Sequence, residues 1–592
     1  MGFSERDKPL VSTLSLTFQT SRILSQRTVH DCLFLILITF LSLSNYITGL
    51  GFYSDDWGLL SYMSLSPDQS LTGVFAAVNS SQDNEIRPVQ FFAYAVGYKL
   101  FGFDPLGYHL LNGIFFSTGL VLLYLILIAV RQPRAFSLSI PILYMLLPTY
   151  STDRFWIAAH ATNISMCLTF LGIYAHLQAL RSRKGEFWGW EAFAILCVIA
   201  SGLTYEVFLP LVLATTAFLF ASELATDWPL TVSGRTIAKA ALRQGAIVLA
   251  VASIIFVKAL WAPRAAYYVG FLARNGIADY FVAISHYTVK AFVYSYGYHL
   301  LELPSTAWHV LRNYSDSTMV ITASFIGVVI FVRLYTSWDR PSAAFMTSRA
   351  KMLMYLGCGI ILFIAGYSLV PINPAKDGIN NRAAIAGTLG VAVSVVGLLC
   401  MLVSLASGVW RRALFSAVVG FVGMSGALAI DALAKFWVQS YRLQNEFLSD
   451  IRSHIPEIPA GTTLIMDGIC PYSGPAPVFE AWWDLSSALS ISYGHSGIKA
   501  NIVTRWLRVE PNGLIIPSCC GPITYPFGQL FVYHFGHKAS YALPDAPAAQ
   551  NYFDNISTDR ASRCPADFYG NGVDVLDGFI PMLGRDPYAP RP

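Results

Sequence analysis

The chain has 592 residues, of which 55% are hydrophobic and only 12% charged, against about 25% charged in ordinary soluble domains. That composition excludes a soluble globular protein, because a core of this length cannot absorb so many apolar side chains and a lipid-facing surface is required. With 39 basic and 35 acidic residues the net charge is only +4, which offers no basic patch for nucleic acid.

The first thirty residues are polar, and the apolar run behind them is long enough to remain as a membrane span. The N-terminus therefore does not read as a cleavable signal peptide. A span takes about 20 apolar residues, and candidates occur in chain order at 32–53, 108–130, 136–149, 156–180, 187–203, 207–221, 244–261, 319–335, 352–370, 383–410 and 413–430. Eleven is an odd number, so the two ends of the chain are expected on opposite sides. Lys and Arg accumulate in cytoplasmic loops. With Arg6, Lys8, Arg22 and Arg27 inside, every second loop is basic: Arg131/Arg134, Arg181/Arg183/Lys184, Arg235/Lys239/Arg243, Arg333/Arg340/Arg349/Lys351 and Arg411/Arg412. The segment 280–303 is apolar but carries His286, Lys290, His299, Glu302 and several tyrosines, and is read as an interfacial or re-entrant helix.

After residue 431 the chain changes character, with candidate strands at 462–466, 501–507 and 529–533, a helix over 479–490, and turns at Pro511-Asn512-Gly513 and Cys520-Gly521-Pro522. The expected fold is an all-α polytopic transmembrane bundle with a C-terminal α+β extracytoplasmic domain. It divides into a cytoplasmic tail (1–30), a membrane module (31–431) with an outer loop over 54–108, and the soluble domain (432–592). Cys32, Cys167, Cys197, Cys358 and Cys400 lie in apolar runs and read as small buried hydrophobes. Cys470, Cys519, Cys520 and Cys564 fall in the outer domain, where at least one disulfide is expected and three pairings remain open. Adjacent Cys519 and Cys520 are poorly placed to pair with each other. There is no C-x-x-C pair to hold zinc.

The first outer loop carries the chemistry. Directly after the first span stands Ser54-Asp55-Asp56-Trp57. Two adjacent carboxylates at a membrane surface repel each other and are costly to dehydrate, which points to a use; helix capping is the alternative. The loop continues through Glu85-Ile86-Arg87-Pro88 to Gly102-Phe103-Asp104-Pro105-Leu106-Gly107-Tyr108-His109-Leu110-Leu111-Asn112. His109 and Asn112 share a helix face near the outer boundary, where ligand contact and plain interfacial packing are both open.

This order resembles the GT-C superfamily of integral membrane glycosyltransferases, which includes protein O-mannosyltransferases and lipid A aminoarabinose transferases. The shared pattern is one span, an acidic pair, a long outer loop with Arg-Pro, then Gly-x-x-Pro-x-Gly-Tyr-His-x-x-Asn. Phe155-Trp156-Ile157-Ala158 and Tyr205-Glu206 with Pro210 fit it too, so that the likeness covers roughly residues 30–225; beyond them Asn380-Asn381-Arg382 at the tenth span supports it. The resemblance implies a polyprenyl-phosphate-linked sugar donor whose lipid lies in the bilayer. It also implies an extracytoplasmic glycan, lipid or protein acceptor, and residence in a bacterial inner membrane. It favours Asp55 as the general base with Asp56 in support.

Transfer also needs cations for the leaving phosphate. Candidates are Arg382 first, then Lys258, Arg87, Arg264 and Lys376, each with snorkelling or charge balance as the alternative. Glu206 is a candidate partner for such a cation. Asp153 and His160 with Asp55 could in principle hold a metal, but the acidic pair is adjacent rather than spaced as Asp-x-Asp, so no metal and no cofactor is expected. Asp484 and the Trp482-Trp483 pair read as sugar contacts or as core packing. A transporter or lipid flippase and a non-catalytic scaffold are the competing functions; the first lacks a visible internal repeat, and the second leaves the acidic pair unexplained.

Overall fold

The computed structural model describes residues 25–80, 86–225, 234–261, 267–346, 348–369, 379–504, 507–516 and 522–557. Helix α1 (Gln26–Leu43) starts at Ser25, whose hydroxyl accepts from the Thr28 amide at 3.2 Å. It ends well short of the expected residue 53, and the chain turns through 44–53. There Gly51 passes so close to the Tyr441 ring that a Cβ would lie 2.0 Å from it. Three helices then build the outer loop: α2 (Asp55–Ser64), α3 (Leu71–Asn79) and α4 (Pro88–Phe101). Asp104 caps α5 (Pro105–Ala129), accepting from the Leu106 amide at 3.0 Å with proline in the first turn.

The bundle continues with α6 (Arg134–Leu146), the single turn α7 (Thr152–Phe155), α8 (His160–Arg181), α9 (Lys184–Thr204), α10 (Leu209–Ala225) and α11 (Gly234–Trp261). Helix α12 (Tyr267–Phe292) bends at Gly276 and runs on as a π-helical stretch over Val293–Leu301, so the segment read as interfacial is helical along its whole length. Then come α13 (Leu303–Asn313), α14 (Ser317–Thr336), α15 (Arg340–Phe345), α16 (Arg349–Tyr367), α17 (Ile385–Val403) and α18 (Gly408–His454). Among the described residues nine helices are long and apolar enough to cross a bilayer, while Arg134–Leu146 and Glu206–Ala221 are shorter apolar helices. The chain is a multi-pass membrane protein. Helices α16 and α17 approach closely where Gly366 meets Gly387, whose α-carbon would lie 2.5 Å from a Cβ on Gly366. Small residues let helix backbones meet in this way in membranes.

Helix α18 is the longest element, with 47 residues or about 70 Å. The change of character read at residue 431 falls inside it: Asp431 is a buried helical residue, and the helix carries on to His454. Beyond it stand β1 (Thr463–Asp467), the short strands β2 (Tyr472–Ser473) and β3 (Ala476–Pro477), α19 (Trp482–Tyr493), β4 (Lys499–Ile502), β5 (Arg508–Glu510), β6 (Gly513–Ile516), β7 (Ile523–Pro526), β8 (Leu530–His534), β9 (Ala539–Ala542) and α20 (Ala546–Asn555). The main sheet has the order β4-β1-β8-β9, with β1 parallel to β4 and β8, and β9 antiparallel. Strand β1 is buried along its whole length, as a central parallel strand must be. Strands β5, β6 and β7 form a separate antiparallel sheet.

One apolar cluster joins this domain to the outer loop. Trp57 and Leu60 of α2 pack with Phe447 and Ile451 of α18 and with Leu464 and Leu485 of the sheet domain. The Trp57 indole also donates to Gln444 Oε1 at 3.0 Å. Cys470 is disulfide-bonded; Cys519, Cys520 and Cys564 lie outside the described residues, whereas Cys32, Cys167, Cys197, Cys358 and Cys400 are free. At the opposite end of the bundle the buried Asp31 accepts from Arg134 Nε at 2.6 Å, from Arg333 and from the Tyr124 hydroxyl, tying α1, α5, α6 and α14 together. The acidic pair and the sheet domain thus share one end of the bundle, and the basic turns occupy the other. The basic excess predicts that the sheet-domain end faces away from the cytoplasm. A cysteine introduced at exposed Ser496 should react with an impermeant maleimide added to intact cells. One at exposed Ser407 should react only after permeabilisation.

Candidate active site

The turn between α1 and α2 is gripped from several sides. The Tyr53 hydroxyl donates to Trp437 O at 2.8 Å and accepts from the Gly51 amide at 3.0 Å, and its ring meets Trp437 edge-on at 4.7 Å. The Trp156 indole donates to Tyr53 O at 2.9 Å. Ser54 follows with φ 49° and ψ −116°, a conformation L-residues rarely adopt, whose strain costs on the order of 1–3 kcal/mol. Its hydroxyl donates to Glu480 of the sheet domain.

The acidic pair then divides. Asp56 is buried, and both its oxygens are committed to backbone: Oδ2 accepts from the Tyr53 amide at 2.9 Å and Oδ1 from the Ala158 amide at 2.7 Å. Burial pushes its carboxyl well above the ordinary range, and the charge of Asp55 pushes the same way, against the pull of those amides. Asp55 is half-buried as the first residue of α2. Burial raises its carboxyl too, while the Arg382 guanidinium and the indole N–H of Trp483 draw it down. Of the two, Asp55 is the one facing a cation rather than the backbone.

Arg382 sits in the 3-10 turn Ile379–Ala384 that leads into α17, with its guanidinium 4.7 Å over the Trp156 ring. Asn381 pins this turn to α7, accepting from the Thr152 amide at 3.2 Å and donating to the Ser151 hydroxyl at 3.3 Å. Asp153 of α7 is fully buried and accepts from the Thr162 hydroxyl at 2.5 Å. Burial lifts its carboxyl well above the ordinary range, against the Thr162 bond and then the charges of Arg382 and Arg154. The Arg382 charge therefore acts on both Asp55 and Asp153. His109 and Asn112 face inward as scaffold: His109 Nε2 lies 3.1 Å from Gly51 O, and Asn112 donates to Asp153 O at 2.9 Å. His160 packs edge-on to His109, ring centroids 5.4 Å apart. Among the described residues no group of three or more His, Cys, Asp or Glu side chains is placed to hold a metal ion.

A second charged group lies at the start of α10. Glu206 binds Arg87 Nη2 at 3.0 Å and Lys258 Nζ at 2.9 Å, all three largely buried, and Arg87 also lies 4.3 Å over the Tyr205 ring. Arg87 and Lys258 are thus held by Glu206, and Arg264 and Lys376 lie outside the described residues. Helix α4, which Arg87 begins, also carries Tyr94, whose hydroxyl donates to Ala158 O at 2.6 Å beside the Asp56 contact.

The sheet domain contributes Glu480, which the sequence did not single out, beside the Trp482-Trp483 pair and Asp484, which it did. Glu480 takes the Ser54 hydroxyl on one oxygen and the Tyr472 hydroxyl at 2.8 Å on the other. Trp483 stands against Asp55, and Trp482 is exposed beside it with ring centroids 6.0 Å apart. Asp484 is spent locally: its carboxylate accepts from the amides of Glu480 at 2.7 Å and Leu485 at 2.6 Å at the start of α19. No periodicity marks Glu480, which lies inside the helix expected over 479–490, whereas the helix starts at Trp482.

No protein-family model matches the chain, and no curated protein matches it. Among solved structures it is similar to ArnT from Cupriavidus metallidurans bound to undecaprenyl phosphate, at 14% identity and TM-score 0.32 over 80% of this chain and 90% of that one. The apo state of the same protein gives 15% identity and TM-score 0.32 over 79% and 88%. The Archaeoglobus fulgidus oligosaccharyltransferase tethered with an acceptor peptide gives 11% and TM-score 0.36 over 81% and 64%. At such identity these likenesses say nothing of individual residues.

The split within the acidic pair predicts different consequences for its two members. Asp56→Asn sets an amide NH₂ against one of the two backbone N–H donors and should cost about 1–3 kcal/mol of stability. Asp55→Asn, which keeps the side-chain shape at the first residue of α2, should change stability little. Thermal unfolding of the two purified variants in one detergent separates them.

Proposed function

We propose that the chain is an integral membrane glycosyltransferase that moves a sugar from a polyprenyl-phosphate donor to a hydroxyl of an extracytoplasmic glycan, lipid or protein. The observation that carries this reading is the Arg382 charge acting on Asp55 at the end of the bundle that holds the sheet domain, with Asp56 committed to the backbone. Transfer requires a base for the acceptor proton and a cation for the leaving phosphate, in one place. Asp55 takes the proton as the acceptor oxygen forms its bond to the anomeric carbon. The bond from that carbon to the phosphate oxygen breaks, and the oxygen leaves with the electron pair toward Arg382. Because Arg382 also lies over Trp156, its guanidinium plane is oriented before the donor arrives.

Asp55→Asn should lower turnover by about 10²–10⁴-fold, the usual worth of a general base, with donor binding retained. Arg382→Ala should weaken donor binding by about 1.5–3 kcal/mol, as for a hydrogen bond to a charged group. Transfer and donor-binding assays on folded variants check both, and near wild-type turnover by Asp55→Asn would falsify the catalytic assignment. Since burial raises the Asp55 carboxyl and a base works deprotonated, the acid limb of kcat/KM should fall at a pH above the ordinary aspartate range and vanish in Asp55→Asn.

A further inference from the structure

We infer that Glu480 of the sheet domain is a positioning residue for Asp55, acting through Ser54. Ser54 is fully buried and has a positive φ of 49°, immediately before the first residue of α2. A serine has no intrinsic preference for that conformation. What holds it is the far side of the site: its hydroxyl donates to one carboxylate oxygen of Glu480. The other Glu480 oxygen is fixed by the Tyr472 hydroxyl at 2.8 Å, and the Glu480 amide is fixed by Asp484 at 2.7 Å. The carboxylate is therefore aimed from two anchored points. The backbone at Ser54 sets where α2 begins, since the Trp57 amide donates to Ser54 O at 3.2 Å and the Asp56 amide to Tyr53 O at 2.9 Å. It thereby sets the direction in which Asp55 leaves the chain. Releasing Ser54 lets its φ return to the negative region and swings Asp55 away from Arg382. The sheet domain, joined to the membrane bundle by α18, is on this view part of the catalytic apparatus.

The catalytic consequence rests on the glycosyltransferase reading; the grip on Ser54 does not. The test uses full-length protein in detergent for hydrogen–deuterium exchange of the peptide spanning 51–60. Parallel cells lacking their own copy and expressing each variant are assayed by thin-layer analysis for accumulated polyprenyl-linked sugar. Glu480→Ala should raise exchange of that peptide about tenfold, the order expected when strain of this kind is released, and accumulate the donor. Glu480→Gln keeps an acceptor oxygen for Ser54 and should stay near wild type in both readouts. Ser54→Gly in the Glu480→Ala background should restore both, because glycine takes a positive φ without steric cost. A purely structural role for Glu480 would not be repaired by a change at residue 54. Unchanged exchange in Glu480→Ala overturns the inference, as does Glu480→Gln failing as badly as Glu480→Ala, which would make the carboxylate itself the chemical group. If exchange follows the expected order while no strain accumulates a polyprenyl-linked sugar, the grip on Ser54 stands and the glycosyltransferase reading falls.

Discussion

The carboxylate of Asp56 accepts from the Tyr53 amide with one oxygen and from the Ala158 amide with the other, joining turns 102 residues apart in the chain. Both turns follow interrupted helices. The first lies between α1 and α2, and the second between α7 and α8, so each leaves backbone donors without helical partners. A buried carboxylate is costly unless such donors surround it, and here one side chain satisfies donors from both turns. Around that contact the rest of the site is assembled: Trp156 bonds Tyr53, Tyr94 bonds Ala158, and Arg382 lies over Trp156. Asp55 can face a cation because its neighbour has taken the structural work.

Charge is managed differently at the two ends of the bundle. At the basic end, Arg134 and Arg333 converge on one buried aspartate, Asp31, and lock α1, α6 and α14. At the other end, Arg87 and Lys258 converge on Glu206. Each group carries two cations per carboxylate. Pairing makes buried arginine tolerable. At the site end the Arg382 charge acts on two carboxylates whose protonation is displaced upward by burial, Asp55 and Asp153. An anionic ligand there would find cations held in place by packing rather than free side chains that must first be ordered.

Helix α18 decides how the two halves of the molecule meet. It leaves the bundle without a break and carries Gln444, Phe447 and Ile451 to a core shared by the outer-loop helices and the sheet domain. A flexible linker would leave the domain free to move; a continuous helix with an apolar seam fixes its position over α2. That placement brings Glu480 and Trp483 to Ser54 and Asp55.

Much of this chain is legible in the sequence because the bilayer constrains composition so strongly. Spans need long apolar runs, and among the described residues a helix overlaps each candidate segment, nine of these helices being long and apolar enough to cross a bilayer. In the sheet domain the expected strands 462–466 and 529–533 fall on β1 and β8, whereas 501–507 overlaps β4 only at 501–502 and the other described strands were not expected. The acidic pair stood out because two charges beside an apolar run demand an explanation. Which carboxylate is structural was not legible, because Asp55 and Asp56 have the same chemistry and differ only in whether the Ala158 amide is in reach. The early end of α1 and the late end of α18 were also hidden. The first depends on the Tyr441 ring crossing Gly51, and the second on an apolar seam that has meaning only once the sheet domain packs against it. Glu480 carries no local signature at all, for its role exists only through the strained backbone of a serine 426 residues away. Sequence alone determined what partitions into lipid, because that is a sum over neighbouring residues. Tertiary structure decided which charge is free to act, because that depends on partners distant in the chain.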